Sequence, residues 1–301
     1  MTNIHLQNVD LTSRSGPNCF GRKLFDVLQR RGVSFDATQE PDAVLAFIQA
    51  LNYSSAAPLF QRLDGIYFNT AQNYSQQNQP ILNTYQKADG VIFQSDFNKT
   101  LITKYFGDHP NSIVIHNGSD LEYIKKTPLL QAQLFQNYEK IWVCASHWRP
   151  HKRLKDNIQY FLDHSGPNDV LLIMGHTDEK PLTDNKIKYL GNIDYKSLIT
   201  ILKVSDCFIH LAWLDHCPNV VVDARACGCE IICSSSGGTK EIAGRDATLV
   251  LEEEWDFEPV ELYSPPTLDF TKKVNNEYNS DYDMEKVADR YLNFMRGKGD
   301  E

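Results

Sequence analysis

Residues 206–244 read DCFIHLAWLDHCPNVVVDARACGCEIICSSSGGTKEIAG, and this stretch decides the fold. Its first apolar run, at 207–211, predicts a buried strand that leads into a polar loop, and a helix is predicted to begin near Val220. A second apolar run at 230–233 leads into a glycine pair and another short helix. Strand, loop, helix and strand in this order are typical of a parallel sheet that is covered by helices on both faces.

The same alternation extends outward through the whole chain. Other short apolar runs predict buried strands at 43–47, 65–68, 91–93, 113–115, 141–145, 170–174 and 187–190. We place the boundary between two α/β halves at 125–137, where a turn-like sequence precedes the second series of strands. The predicted domains are therefore 1–125 and 126–280, followed by a terminal helix at 281–301.

The terminal segment has the clearest helical periodicity. One buried stripe is predicted from the spacing of Met284, Val287, Ala288, Tyr291, Leu292 and Met295. Ser280 or Asp281 can cap the start of this helix. The sequence DYD at 281–283 has the spelling of a metal-binding Asp-x-Asp, but its position at a helix start favours capping. The acidic, proline-interrupted stretch at 252–279 predicts a surface excursion before the helix.

The composition is that of an ordinary globular protein, because 42% of the 301 residues are hydrophobic and 23% are charged. Thirty Lys and Arg against 39 Asp and Glu give a formal charge of −9, so a general nucleic-acid or anionic-membrane surface is not expected. No run approaches about 18 apolar residues, and residues 1–10 lack a leader pattern, so we expect a cytoplasmic protein. The seven Cys form no CxxC pair and indicate structural thiols.

Asp215 and Asp223 lie eight residues apart, one in the loop after a predicted strand and the other about one turn into the next helix. Ligands of open α/β sheets bind beyond the carboxyl ends of the strands, so both carboxylates can face one crevice there. Carboxylates accept hydrogen bonds from hydroxyl groups, and this pair suits a polyol ligand. The same spacing also fits a helix-entry residue and a solvated helix position, so spacing alone leaves both interpretations open.

Two further segments predict a binding site for phosphate. Gly237 and Gly238 stand at the start of a helix, where glycines leave backbone N–H groups uncovered for an anion. The sequence SHWRPHKR at 146–153 places three fixed cations and two His in a short segment of an acidic protein. Lys152 and Arg149 are the expected contacts to a diphosphate, and a solvated basic turn is the alternative.

Together these motifs resemble the retaining glycosyltransferases of family 4, the glycosyl transferases group 1. The family pattern runs from a basic Lys loop through a Gly-Asn turn and Glu-x7-Glu to Gly-Gly-x-x-Glu. The similar segments here are 146–154, YLGNI at 189–193, Asp215-x7-Asp223 and 237–242, with 88–95 and 114–120 in the first half. The resemblance implies the α/β GT-B architecture, in which two Rossmann-like domains with parallel sheets face each other and a C-terminal helix packs back across both.

The resemblance also implies an activity, namely transfer of a sugar from a UDP- or GDP-linked donor to a hydroxyl of a glycan or glycoconjugate acceptor. In the family the reaction is retaining and independent of metal, so we expect no cofactor and no nucleic-acid partner. Asp215 would hold hydroxyls of the transferred sugar and Asp223 the donor ribose, while Lys152 and Arg149 neutralise the leaving diphosphate. The other implied donor-site residues are Asn192, Ile193, Asn219, Val220, Gly237, Gly238 and Gly16.

The sequence departs from the family pattern at two places. Both motif carboxylates are Asp where the family has Glu, and the loop at 15–21 lacks the paired glycines of the family. The Asp residues leave a non-catalytic nucleotide-sugar-binding protein open as an alternative. A nucleotide-sugar 2-epimerase on the same scaffold is the other alternative, with Asp64, His116 and Glu122 as its candidate residues. In a transferase, Asp64 or His116 is the candidate to assist from the first half.

Overall fold

The computed structural model describes residues 3–13, 15–51, 53–130 and 135–298. The chain divides into two compact units. The first unit comprises Met1–Asp120, Asp256–Val260 and Asp281–Glu301, and the second comprises Leu121–Trp255 and Glu261–Ser280. The terminal helix is thus part of the first unit, and its packing across both halves stays a prediction. Residues 131–134 of the predicted boundary lie outside the described residues.

The first unit contains a sheet of five parallel strands in the described part of the chain. The strands are β1 (Ile4–Gln7), β2 (Ala43–Phe47), β3 (Leu59–Leu63), β4 (Gly90–Phe93) and β5 (Ser112–Val114). The helices of this unit are α1 (Gly16–Arg30), α2 (Tyr74–Tyr85), α3 (Asp96–Phe106) and α9 (Met284–Met295). Each strand pairs with the next strand along the chain, so the order β1-β2-β3-β4-β5 does not reverse among these strands.

Two amphipathic helices, α1 and α9, pack into one apolar core with β1 and β2. All six residues of the stripe predicted for α9 are buried, which confirms the helical period. The cap of α9 is Asp283, whose side chain accepts a hydrogen bond from the N–H of Glu285 at 2.9 Å. The predicted caps, Ser280 and Asp281, lie outside this position, whereas the capping role predicted for the DYD sequence is confirmed.

The strand β3 corrects the sequence analysis. A strand is predicted at 65–68, but the structure places it at Leu59–Leu63, and no strand is assigned to 65–68. The sequence LFQRL carries Gln61 and Arg62 inside the strand, and this pair interrupts the apolar run that would identify it. Both side chains are nevertheless fully buried. The strand is a central one, paired with β2 and β4.

The second unit contains a sheet of seven strands within the described residues. The strands are β6 (Ile141–Ala145), β7 (Val170–Met174), β8 (Ile187–Gly191), β9 (Cys207–His210), β10 (Glu230–Ser234), β11 (Thr248–Val250) and β12 (Lys273–Asn275). The described helices are α4 (Leu121–Lys126), α5 (Leu154–His164), α6 (Tyr195–Leu202), α7 (Asn219–Ala226) and α8 (Thr239–Ala243), and Pro150–Lys152 form a 3₁₀ turn. All pairings are parallel except that of β12 with β11.

The strand order of the second sheet is β12-β11-β10-β9-β6-β7-β8, and it reverses next to β6. The chain runs from β6 to β7 and β8 on one side, then returns to place β9, β10 and β11 on the other side. Such a reversal opens a crevice beyond the carboxyl ends of the two central strands, which is where open α/β sheets bind ligands. The loops after β6 and β9 therefore line the expected site in this unit.

Candidate active site

The loops after β6 and β9 are joined by an ion pair. Lys152 lies in the 3₁₀ turn after β6, and Asp215 lies in the loop after β9. The Nζ of Lys152 donates to Oδ2 of Asp215 at 2.5 Å, and the two side chains are 19% and 15% exposed. The structure thus brings together two residues that the sequence analysis places in one site, at the topological reversal of the sheet.

A third side chain contacts the same carboxylate. His210, the last residue of β9, lies 2.9 Å from Oδ2 of Asp215 through its Nε2 and is almost fully buried. The other oxygen, Oδ1, accepts the backbone N–H of His216 at 3.1 Å. Burial alone raises the pKa of Asp215, but the Lys152 ammonium and His210 outweigh burial and hold this pKa well below its usual range. Asp215 is therefore an ionised hydrogen-bond acceptor.

The histidines around this pair are neutral at ordinary pH. Burial lowers the pKa of His151 to about 3 and that of His216 to about 4, with Lys152 acting in the same direction. Burial also lowers the pKa of His210, although Asp215 opposes the change. Because these imidazoles are uncharged, Lys152 and Asp215 carry the charge at the centre of the site.

Arg153, the residue after Lys152, has a structural role rather than the ligand-facing position suggested by the basic cluster. Its guanidinium is completely buried and forms a bidentate ion pair with Glu252, at 2.8 and 2.6 Å. It also donates to the carbonyls of Leu211 and Pro266. The backbone of Arg153 is left-handed, with a φ of 54°. Arg153 therefore ties the loop after β6 to the loop after β9.

The glycine pair packs against the Asp215 loop. Gly237 has a φ of 71°, and a Cβ placed there would lie 2.4 Å from the carbonyl oxygen of Asp215, so only glycine fits. The N–H of Gly238 donates to that same carbonyl at 2.8 Å. The N–H of Gly238 is thus engaged within the protein, and the glycines hold the loop that presents Asp215. The predicted contacts of Gly237 and Gly238 with the donor stay predictions.

Asp223 has partners of its own. It lies in α7 with 2% of its surface exposed, and its Oδ1 accepts a hydrogen bond from the hydroxyl of Tyr195 at 3.2 Å. Asp215 is bound instead to Lys152 and His210, so the two motif carboxylates are engaged by different groups. The predicted contact of Asp223 with a donor ribose stays a prediction.

The remaining predicted residues lie at the ends of elements. Arg149 is exposed and precedes the 3₁₀ turn, and its carbonyl accepts the N–H of Lys152 at 2.8 Å. Asn192 and Ile193 connect β8 to α6, Asn219 and Val220 begin α7, and Gly16 begins α1 in the first unit. In the second unit these positions all follow the carboxyl end of a strand, as a ligand site of this fold requires. Their ligand contacts stay predictions.

The histidines that surround the Lys152–Asp215 pair are not among the predicted site residues. His151, His210 and His216 are present in the quoted motifs, but none is assigned a role there. The signal that could identify His210 is its position as the last residue of an apolar strand, directly before a loop that carries a carboxylate. A histidine at that point needs a hydrogen-bond partner, and Asp215 is near enough in sequence to supply it.

Two further features concern the described residues as a whole. No group of three or more His, Cys, Asp and Glu side chains is arranged to hold a metal ion within 3–13, 15–51, 53–130 and 135–298. Over the same residues, none of the helices combines the length and the apolar character that crossing a bilayer requires. Independence of metal stays a prediction for experiment.

Comparisons with known proteins support the motif analysis. Residues 126–257 match the family described as glycosyl transferases group 1. The "Uncharacterized glycosyltransferase MJ1069" of Methanocaldococcus jannaschii is 24% identical over 173 residues, which are 52% of this chain and 44% of that protein. The chain thus spans less than half the length of this curated relative.

Solved structures share the fold at low identity. Alr3699/HepE of Anabaena, in complex with UDP and glucose, has a TM-score of 0.68 at 15% identity and covers 99% of this chain and 100% of its own. Sucrose-phosphate synthase of Thermosynechococcus elongatus has a TM-score of 0.64 at 14% identity, over 83% of this chain and 86% of its own. The predicted GT-B class of α/β fold is thereby confirmed. Residues 126–257, which are less than half of the chain, are thus similar to the glycosyl transferases group 1 family.

Proposed function

We propose that this protein is a retaining, metal-independent glycosyltransferase that moves a sugar from a nucleotide-diphosphate sugar to a hydroxyl of a glycan or glycoconjugate acceptor. The observation that carries the proposal is the Lys152–Asp215 pair, bound by His210, at the topological reversal of the second sheet. This position is the ligand crevice of the fold, and the pair offers it one cation and one carboxylate.

Lys152 is suited to the diphosphate because an ammonium has three N–H donors. One donor holds Asp215, and two are left for phosphate oxygens. When the bond between the anomeric carbon and the diphosphate oxygen breaks, the electron pair leaves with the diphosphate and its negative charge increases. A fixed cation stabilises this charge more in the transition state than in the ground state, which accelerates the reaction. Exposed Arg149, three residues earlier, is the second proposed cation.

Asp215 is suited to the transferred sugar. Its Oδ2 is held by Lys152 and His210, whereas Oδ1 receives a single backbone N–H. An ionised carboxylate oxygen has room for a further donor, and a sugar hydroxyl is such a donor. Asp is shorter than the Glu of the family pattern, and the glycine pair that packs on the Asp215 backbone fixes how far this shorter side chain reaches. Asp223 is proposed to contact the ribose of the donor.

A uridine donor is favoured over a guanosine donor. The solved structure of Alr3699/HepE that covers this whole chain was determined with UDP and glucose, and another was determined with UDP-glucose. UDP-glucose is therefore the first donor to test.

The test combines binding with turnover. We expect UDP and UDP-glucose to raise the melting temperature more than GDP and GDP-mannose, and a ligand at about 100 times its Kd stabilises a protein by about 2.7 kcal/mol. Turnover of UDP-glucose should continue in EDTA, and the product should keep the anomeric configuration of the donor in its proton NMR spectrum. A strict requirement for a divalent ion, or an inverted product, would contradict the mechanism.

The other outcomes separate the alternatives. Stabilisation by UDP-glucose without any turnover would identify a nucleotide-sugar-binding protein. Formation of an epimerised sugar would identify a 2-epimerase. Failure of every nucleotide to stabilise the protein would remove the donor site itself.

A further inference from the structure

The first unit contains a buried cation in the middle of its sheet. Arg62 lies in β3, and none of its side-chain surface is exposed. Its guanidinium carbon lies 4.1 Å from the centre of the Phe20 ring and 5.2 Å from that of Phe47. Taking a charge out of water is costly, and a well-packed apolar side chain often stabilises a protein as well or better. A buried Arg at this position must therefore be held by hydrogen-bonding partners.

The guanidinium connects groups at the carboxyl ends of three strands. It donates to Asp64 directly after β3, to Oε1 of Gln94 directly after β4 at 3.3 Å, and to Oδ1 of Asn117 after β5 at 2.7 Å. Its Nε also donates to the hydroxyl of Tyr291 in α9 at 3.1 Å. Arg62 thus fixes a polar cluster beyond the carboxyl ends of β3, β4 and β5.

Asp64 is the member of this cluster that has an unpartnered polar atom. Its Oδ1 accepts from Arg62, and its backbone carbonyl accepts from Nε2 of Gln94 at 2.6 Å. Its other carboxylate oxygen, Oδ2, is buried and has no donor among the residues described by the structure, while 14% of the whole side chain reaches the surface. Burial raises the pKa of Asp64, and Arg62 opposes this rise. The amide oxygens of Gln94 and Asn117, in contrast, both accept from Arg62.

The backbone beside this cluster is strained. Ile48, directly after β2, has a φ of 67°, which is a rare conformation for a β-branched residue. Its N–H donates to the carbonyl of Arg62 at 2.8 Å, and its carbonyl accepts from the side chain of Gln61 at 2.7 Å. Strain of this kind persists where the surrounding structure enforces it, and it concentrates at functional sites.

We propose that Asp64 binds a hydroxyl group of the sugar acceptor through Oδ2, and that Arg62 positions Asp64 for this contact. An ionised carboxylate oxygen only accepts hydrogen bonds, so the ligand group must be a donor such as a hydroxyl. An acceptor with a phosphate or a carboxylate at this point would be repelled. The inference rests on the proposed transferase function, and it names the residue that recognises the acceptor.

The experiment uses the full chain, UDP-glucose as donor and a panel of p-nitrophenyl glycosides as acceptors, with products identified by mass spectrometry. Asp64→Asn keeps the size of the side chain and its bond from Arg62 but removes the charge. We expect its acceptor KM to rise by about tenfold or more, because a hydrogen bond to a charged group is lost. The stabilisation by UDP and the hydrolysis of UDP-glucose by water should stay near the wild-type values.

Asp108→Asn is the matched control, because Asp108 is an exposed carboxylate of the same unit near the amino end of β5. It should leave the acceptor KM unchanged. An unchanged acceptor KM in Asp64→Asn would overturn the proposal. The proposal would also be overturned if UDP stabilises the wild-type protein but no glycoside is extended and no glycoside raises the melting temperature. Failure of UDP to bind at all would instead reject the proposed function.

Arg62→Lys tests the positioning role separately. Lysine keeps the positive charge but cannot reach Asp64, Gln94 and Asn117 together. We expect the same rise in acceptor KM as in Asp64→Asn, with little change in kcat at saturating acceptor and with UDP stabilisation preserved. An unchanged acceptor KM in this folded variant would show that Asp64 does not depend on Arg62.

Discussion

Each of the two sheets has a cation–carboxylate pair at the carboxyl ends of its strands, but the two pairs are built differently. In the second unit, Lys152 and Asp215 come from two loops, and both side chains are partly exposed. In the first unit, Arg62 comes from the strand itself and is fully buried, so Asp64 alone reaches the surface. The second site therefore offers a ligand both charges, whereas the first offers only a carboxylate oxygen.

This difference sets what each pair can bind. A partly exposed ammonium on a flexible stem can share its donors between Asp215 and an incoming phosphate at small cost. A buried guanidinium with fixed partners cannot turn towards a ligand, and it acts through the carboxylate that it holds. The second sheet also reverses its strand order at β6, while the order of the first sheet runs in sequence among the described strands. Under the two proposals, the Lys152–Asp215 pair binds an anion and a hydroxyl-bearing sugar, and the Arg62–Asp64 pair binds a hydroxyl of the acceptor.

The largest expected effect is on stability, and it concerns the buried Arg153–Glu252 ion pair. Arg153→Met removes the partner of Glu252 and leaves its carboxylate nearly fully buried. Removing one member of a buried ion pair costs about 3–5 kcal/mol, so the free energy of unfolding in urea should fall by that amount. Exposed Lys155→Ala, two residues later, is the control and should cost about 1 kcal/mol or less. Equal losses in the two variants would contradict the distinction between buried and exposed cations.

In contrast to Arg153→Met, the variant Lys152→Ala should lose little stability and much of its turnover. Asp215 keeps its bond from His210 and both side chains of the pair are partly exposed, so the loss of stability should be smaller than in Arg153→Met. Removing a group that stabilises transition-state charge costs about 10²–10³ in kcat, which initial rates with UDP-glucose would measure. Lys155→Ala again serves as the control. Wild-type turnover in Lys152→Ala would remove this residue from the leaving-group site.

The buried histidines around the Lys152–Asp215 pair should make the free energy of unfolding depend on pH. The pKa of His151 is lowered to about 3 and that of His216 to about 4, so the unfolded chain binds protons below pH 6.5 that the folded chain does not. Stability is therefore expected to fall as the pH drops from 7 to 5, by on the order of 2 kcal/mol for each residue. Asp215 adds nothing in this window, because its pKa lies lower still.

Urea unfolding at pH 7 and pH 5 measures this effect in His151→Gln and His216→Gln. Each variant should lose less stability between the two pH values than the wild type does. His147→Gln, which changes an exposed histidine after β6, should keep the wild-type difference. A wild-type protein that is equally stable at pH 5 and pH 7 would contradict neutral histidines in the folded state.

The fold follows from sequence wherever periodicity is complete. The stripe of α9 and the apolar runs of β6 and β10 identify their elements, because each buries a continuous face. The strand β3 escapes detection because Gln61 and Arg62 interrupt its apolar run, and their burial depends on partners far away in the chain, such as Ile48 and Tyr291. Pattern analysis therefore misses a strand at the place where the first unit concentrates its polar contacts.

In the candidate site, too, the sequence pattern does not separate residues that have different roles. Lys152 and Arg153 are adjacent cations in one motif, and the sequence gives no reason to separate them. In the structure, Lys152 contacts Asp215, whereas Arg153 is buried against Glu252. The backbone at Arg153 is left-handed. Glu252 lies about a hundred residues further on and belongs to a segment that predicts a surface excursion. Motif analysis can locate the loops of a site, but partners distant in sequence decide which side chains face the ligand.

The smallest expected effect is on turnover in variants of His210, and it tests whether His210 orients Asp215. His210 contacts Oδ2 of Asp215 through Nε2, and Gln places an amide N–H near that position while Phe has no donor. We expect about tenfold lower turnover of UDP-glucose in His210→Phe, since one hydrogen bond to a charged group is lost, and near wild-type turnover in His210→Gln. Because His210 helps to hold the pKa of Asp215 low, the acid limb of the pH–rate profile should move upward in His210→Phe only. If both variants lose activity equally and the acid limb stays in place, His210 merely fills the core, and Lys152 alone sets the orientation and charge of Asp215.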